Sequence, residues 1–172
     1  MVKKIIITGG LGYIGTELCK LYSGYSWHHK IIVIDNRFIS ERVNQIRNWN
    51  MEFIHGDILN KELVNKYFKD ADIVHHLAGI TDVPRTKSES NSEKDKKIIL
   101  VGEKGTNNIL EAISNECKII FPSTHVVYEG IDKVKNDIKE NEETKPVLSY
   151  SSSKAANEKQ LKKSGKNYVI LR

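Results

Sequence analysis

Tyr150 and Lys154 stand four residues apart at the start of Ser149–Lys163, a segment with helical spacing. That spacing sends both side chains from one helix face, about one turn apart. A phenol is a poor base at neutral pH. An ammonium beside it favours the phenolate and lowers its pKa towards the range where it can exchange a proton with a substrate hydroxyl. Thr124, in Pro122-Ser123-Thr124-His125 after an apolar run, adds a hydroxyl that can donate to a developing oxyanion or orient a substrate oxygen. A Tyr-x-x-x-Lys pair alone is equally an ordinary solvated helix face.

A second constellation opens the chain. Gly9, Gly12 and Gly15 recur at three-residue intervals in Thr8-Gly9-Gly10-Leu11-Gly12-Tyr13-Ile14-Gly15, directly after the apolar run Lys4–Thr8. Between a strand and a helix, such glycines make a tight turn, admit a pyrophosphate to the backbone, and let helix pack on strand. The helix N-terminus then offers N–H groups and partial positive charge. The run Ile31-Ile32-Val33-Ile34 ends in Asp35, twenty residues beyond Gly15, where a carboxylate accepts from adenosine ribose hydroxyls and repels a 2′-phosphate. A dinucleotide, NAD rather than NADP, is therefore the expected cofactor. Arg37, two residues on, could soften that preference. Asp57 is placed either to meet the adenine edge or to serve as a plain loop aspartate.

The elements that must position these groups alternate along the chain. Short β-branched runs at Lys4–Thr8, Lys30–Asp35, Met51–His55, Asp72–Leu77, Lys118–Pro122 and Asn167–Leu171 read as strands buried on both faces. Helical spacing occupies Gly12–Tyr22, Ser40–Asn48, Lys61–Lys69, a stretch ending in Thr106–Asn115, and Ser149–Lys163, with Asn60 as a candidate N-cap. This is the pattern of an α/β doubly wound parallel sheet in one domain. Thr81–Lys97 and Glu129–Lys145 read as irregular polar loops following strand ends, where such sheets bind ligands.

Composition excludes several classes. A hydrophobic fraction of 39% with 28% charged residues is that of an ordinary globular chain. The net charge of +5 comes from lysines interleaved with acids rather than gathered into a stripe, which argues against a nucleic-acid partner. No stretch approaches membrane-spanning length, and the apolar run after Lys4 is too short for a signal peptide. Cys19 and Cys117 have no metal or redox spacing and read as reduced buried thiols of a cytoplasmic protein. His28, His29, His75 and His76 have no ligand-like partners, so no catalytic metal is expected.

In order along the chain, the glycine turn, Ile34-Asp35-Asn36, Gly56-Asp57-Ile58, His76-Leu77-Ala78-Gly79, Gly105-Thr106-Asn107, Ser123-Thr124 and Tyr150-x-x-x-Lys154 resemble the extended short-chain dehydrogenase/reductases. The likeness is to their NAD-dependent nucleotide-sugar epimerase/dehydratase group. The resemblance implies a Rossmann domain whose cofactor residues are Gly9, Gly12, Tyr13, Ile14, Gly15, Asp35, Asn36, Asp57, Ile58, Leu77, Ala78 and Gly79, together with Tyr150 and Lys154. Tyr150 would be the acid/base, Lys154 would hold the nicotinamide ribose and tune that tyrosine, and Thr124 would be the hydroxyl partner. It also implies epimerase-type transient hydride transfer on a UDP-linked sugar, and a homodimer.

Dehydratase and decarboxylase members usually carry an acid directly after the Thr or Ser, where this chain has His125 and Val126. Its absence favours an epimerase or simple oxidoreductase over a dehydratase, with His125 a candidate acid/base in its own right. The family often has an asparagine where this chain has Gly102. Members also continue well beyond the equivalent of Arg172 into a smaller sugar-gripping domain. The expectation is thus a truncated or isolated NAD-binding part, with a non-catalytic NAD-binding module as the other reading.

Overall fold

Runs such as Lys4-Ile5-Ile6-Ile7-Thr8 place β-branched side chains on both sides of an extended backbone, which suits a central strand covered by helices on each face. The computed structural model describes residues 1–81, 92–132 and 135–172. Its elements are β1 (Lys4–Thr8), α1 (Tyr13–Tyr22), β2 (Lys30–Asp35), α2 (Ser40–Asn48), β3 (Glu52–His55), α3 (Lys61–Phe68), β4 (Ile73–His76), α4 (Ser92–Ala112), β5 (Lys118–Pro122), α5 (Ser149–Lys163) and β6 (Asn167–Leu171). The six strands form one sheet in the order β3-β2-β1-β4-β5-β6. Every pairing is parallel, so all carboxyl ends lie on one edge. The order reverses between β1 and β4, the switch point at which open α/β sheets bind ligands. This is the expected doubly wound Rossmann architecture.

Alternation along the strands splits the core in two. Ile5 and Ile7 of β1 pack with Ile31, Val33, Cys19, Val43 and Ile46 under α1 and α2. Ile6 packs on the other face with Ile32, Val74, Ile119, Phe121, Phe68, Ile109 and Leu161 under α3, α4 and α5. Both cysteines are buried and unpaired with one another. Asn60 caps α3, its side chain accepting from the Leu63 N–H at 3.1 Å.

Three expectations change. The strands are not all buried on both faces: β3 and β6 are edge strands, with Glu52, His55, Asn167, Tyr168 and Leu171 exposed. The stretch expected to be irregular from Thr81 through Lys97 instead contains the start of α4 at Ser92, while residues 82–91 lie outside the described part. The first turn of α4 is polar, and its apolar face begins only at Ile98, so periodicity could not announce it. Finally, the polar segment from Glu129 is preceded by a single 3₁₀ turn, His125–Tyr128.

Gly102, where the resembled family often has asparagine, lies where α4 crosses α5. A Cβ there would stand 2.0 Å from Ser153 Oγ, and the Gly102 carbonyl accepts from Asn157 Nδ2 at 3.0 Å. Gln160 Nε2 donates to the next carbonyl, that of Glu103, at 3.0 Å. Side chains of α5 thus occupy the space an α4 side chain would need. Gly102→Asn should overpack this crossing and cost about 1–3 kcal/mol, measured by urea denaturation. An unchanged midpoint would mean that the helices separate without penalty.

Candidate dinucleotide and catalytic site

The glycine turn follows directly from the carboxyl end of β1. Gly9 has φ +67°, and a Cβ there would fall 2.8 Å from the Ala78 backbone. No other residue type can place the turn so close to the end of β4. A Cβ on Gly15 would sit 2.4 Å from the Gly9 carbonyl, so α1 rests directly on the turn. Gly12 begins α1 without a side-chain cap and with no acid in the first turn. Its first N–H groups and its dipole are therefore offered to an anion. Tyr13 and Ile14 stand beside it, largely exposed. This backbone cradle, closed to any side chain, fits a pyrophosphate.

Asp35, at the end of β2, is buried. Its Oδ2 accepts from the Leu11 N–H of the turn at 2.9 Å, and Oδ1 accepts from the Arg37 N–H at 2.9 Å. Next to it, Asn36 Nδ2 donates to Asp57 Oδ2 at 3.0 Å, and Asp57 Oδ1 accepts from the Leu59 N–H at 2.9 Å. Asp57 is therefore a turn-forming aspartate that also links the ends of β2 and β3. The Ile58 side chain is buried in the core, and its carbonyl accepts from Asn108 Nδ2 at 2.9 Å. Leu77, Ala78 and Gly79 follow β4 beside the glycine turn.

His76 ties these strand ends together. It is buried between Thr8 Oγ1, 3.0 Å from Nδ1, and Thr106 Oγ1, 2.9 Å from Nε2. Thr8 Oγ1 also accepts from the Ala78 N–H at 3.0 Å, and its hydroxyl proton can be donated to Nδ1 when the His76 proton is on Nε2. Burial, with Lys154 adding to it, pushes the imidazole down to about 3. His76 is thus neutral and structural. Among the described residues, no three His, Cys, Asp or Glu side chains cluster as a metal site requires.

Tyr150 and Lys154 emerge from the first turns of α5 towards the end of β5. Lys154 Nζ donates to the Pro122 carbonyl at 2.8 Å and lies 4.5 Å from the Phe121 ring centroid and 5.9 Å from that of Tyr150. Thr124, two residues beyond Pro122, caps the 3₁₀ turn: its Oγ1 accepts from the Val126 N–H at 3.2 Å, leaving its own proton to donate. His125 lies on that turn, exposed to solvent. The expected lowering of Tyr150 is not found. Burial raises it instead, and the Lys154 hydrogen bond goes to a carbonyl rather than to the phenol. Burial also brings Lys154 down to about 8.

Residues not anticipated from the sequence hold this face in place. Glu158, one turn beyond Lys154 and 2% exposed, accepts from Ser123 Oγ at 2.6 Å and from Arg172 Nε at 2.9 Å, with Arg172 Nη2 on its second oxygen. Burial alone would raise its pKa; together the hydrogen bonds from Arg172 and Ser123 outweigh it and hold the carboxyl below its usual range. Arg172 reaches on to the Tyr128 hydroxyl and, at 2.9 Å, to the Glu140 carbonyl. At the start of α5, Glu129 Oε1 accepts from the Val147 and Leu148 N–H groups, both at 2.7 Å. It thereby fixes the chain that leads into α5. The four-residue step from Lys154 to Glu158 was a visible signal. Its partner Arg172 was not, since β5–β6 pairing brings it there.

The fold and this edge are those of a dinucleotide-binding domain. The chain belongs to the NAD dependent epimerase/dehydratase family, whose model matches residues 5–172. It is 33% identical over 91% of its length to dTDP-D-glucose 4,6-dehydratase from Dictyostelium discoideum, covering 39% of that protein. It is 37% identical over 77% of its length to CDP-paratose 2-epimerase from Salmonella typhi, covering 40%. A solved structure of UDP-glucuronic acid 4-epimerase from Bacillus cereus, in complex with UDP-glucuronic acid and NAD, superposes with a TM-score of 0.78 at 28% identity. That likeness covers 98% of this chain and 55% of the other. The chain thus spans about half the length of the relatives it matches or less. NAD is the dinucleotide of this family, in agreement with the expectation from Asp35. No helix among the described residues is long and apolar enough to cross a membrane.

Lys154 provides a test in stability. Its folded value, about 8, lies below the ordinary 10.5, so between these pH values the unfolded chain binds more protons and stability rises with pH. Over that window the wild type should gain on the order of 1–3 kcal/mol relative to Lys154→Met, measured by urea denaturation at stepped pH. A difference constant from pH 7 upward would show that Lys154 titrates as a solvated amine.

Proposed function

We propose that this chain is the NAD-binding part of an epimerase-type oxidoreductase acting on a nucleotide-linked sugar, with Tyr150, Lys154 and Thr124 as its catalytic residues. The observation that carries this reading is the meeting of α5 with the end of β5, where the Lys154–Pro122 hydrogen bond sets the Tyr150 helix against the Thr124 turn. That edge also carries the glycine cradle. When bound, NAD supplies an acceptor for the hydride leaving the sugar carbon.

The chain's own groups then manage the proton. Tyr150, as phenolate, takes the proton of the sugar hydroxyl as the carbon–oxygen bond gains its second bond, and returns it when the keto group is reduced from its other face. Thr124 donates its free proton to the same oxygen. Lys154 supplies positive charge that favours the phenolate, and its release from the Pro122 carbonyl would bring that charge to the ribose. Burial of Tyr150 works against the phenolate, so this charge is what the mechanism needs most.

The residues after Thr124 favour an epimerase over a dehydratase. No carboxylate occupies positions 125 and 126, and Glu129 is committed to the start of α5. A second reading, an NAD-binding module without turnover, is favoured by Tyr150, whose pKa burial raises, away from the phenolate. Incubation with NAD and a panel of UDP-, CDP-, GDP- and dTDP-sugars separates the two. Epimer formation supports the enzyme; NAD binding without keto-sugar or epimer supports the module. Tyr150→Phe should reduce turnover by about 10²–10⁴-fold while NAD affinity stays within about twofold, a change of less than ~0.5 kcal/mol. Turnover close to wild type in that variant would overturn the catalytic assignment.

A further inference from the structure

The carboxylate that would receive the adenosine ribose is already fully engaged. Asp35 has two oxygens with about four acceptor positions. Two are filled by the Leu11 and Arg37 N–H groups, both at 2.9 Å. The others are filled by the Arg37 side chain, through Nε to Oδ1 at 3.2 Å and Nη2 to Oδ2 at 3.4 Å. The two pairs of donors differ in kind. Leu11 and Arg37 N–H belong to the glycine turn and to the backbone leaving β2, so they are fixed. The guanidinium belongs to a side chain that is 55% exposed while Asp35 is 3% exposed, and its bonds are the longer ones.

A ribose diol that bonds to Asp35 must take the positions the guanidinium now holds. Arg37 is displaced but not removed, since it is anchored two residues from Asp35. Nη2 also lies 3.8 Å from where a Cβ on Gly12 would be, so the guanidinium spans the gap between the carboxylate and the phosphate turn. A displaced guanidinium would stay within reach of the ribose hydroxyls that Asp35 would bind, one of which carries the phosphate in NADP.

We propose that Arg37 determines how strongly this site discriminates between the two dinucleotides. In the free protein it neutralises Asp35 and occupies the diol's place. With NAD it is a competitor that gives way. With NADP its planar fork engages the 2′-phosphate and offsets the repulsion from Asp35. The site therefore accepts NADP more readily than a bare aspartate at the end of β2 would allow. Arg42 differs: its Nη1 is bound to the Leu11 carbonyl, which keeps it on the turn and away from this exchange. The inference rests on the dinucleotide site and not on turnover.

Calorimetric titration of the full chain with NAD and with NADP tests it. Arg37→Leu should weaken NADP by about tenfold or more, the loss of one charge-assisted phosphate contact. The same variant should leave NAD unchanged or tighten it by up to about threefold, since an exposed ion pair is cheap to break. Arg42→Leu should leave the ratio of the two dissociation constants unchanged. Arg37→Leu with an unchanged ratio would overturn the proposal, as would an equal change in both variants, which would make the effect one of general positive charge. If neither dinucleotide binds the wild type, the cofactor site itself fails, and that outcome is distinct from NAD binding with a ratio indifferent to Arg37.

Discussion

The glycine turn and the end of β4 approach so closely that no side chain fits between them, and the geometry of this edge depends on that contact. A Cβ on Gly9 would fall 2.8 Å from the Ala78 backbone, inside any tolerable separation. Because the backbones touch, Thr8 Oγ1 reaches the Ala78 N–H, and His76 can bridge Thr8 to Thr106 on α4. The phosphate turn is thereby fastened to two strands and a helix. A neutral His76 suits this role. It donates at one nitrogen and accepts at the other, and burial keeps it neutral far below physiological pH.

The opposite half of the edge is assembled by different means. β5 ends in Pro122-Ser123-Thr124, and α5 grips each step of that descent. Lys154 holds the Pro122 carbonyl and Glu158 holds Ser123 Oγ. Arg172, arriving from β6, closes on Glu158 and on Tyr128 of the 3₁₀ turn. Glu158 is buried and Arg172 is at the surface, so loss of Arg172 would leave a buried carboxylate with only Ser123 and the more distant Lys162 as partners. This clasp acts on the catalytic residues only through position: Thr124 is set by what holds Ser123, and Tyr150 by what fixes the first turn of α5.

Much of this was legible in the sequence because the elements obey one-dimensional rules. Short apolar runs rich in β-branched residues placed β1, β2, β5 and β6 at their observed limits, and the glycine turn and Asp35 are local patterns with local consequences. What was not legible depends on partners from elsewhere in the chain. The polar first turn of α4 has no apolar period, so hydrophobic spacing could not reveal it. Ile58 sits in a motif next to the cofactor edge yet points into the core, because Gly105 leaves room for it: a Cβ there would meet Ile58 Cδ1 at 2.3 Å. The Tyr150 shift went in the direction opposite to expectation for a similar reason. Four-residue spacing brings an ammonium near a phenol but does not say which acceptor it chooses.

That choice shows where the chain sacrifices stability. Lys154 is an ammonium pressed between a carbonyl and an aromatic face, with no carboxylate bonded to it among the described residues, and burial has drawn its pKa down to about 8. A packing argument would put an apolar residue there, and an electrostatic one would add an acid. Either change would remove the property the position has: a positive charge only weakly committed to the protein, beside a phenol that burial disfavours as an anion. An acid at that site would satisfy Lys154 and repel the phenolate as well. The same logic applies at the other end of the edge, where Asp35 is neutralised by a guanidinium that can leave. Both ends of the site hold charges in provisional pairs, and local consistency is broken where a ligand is expected to complete it.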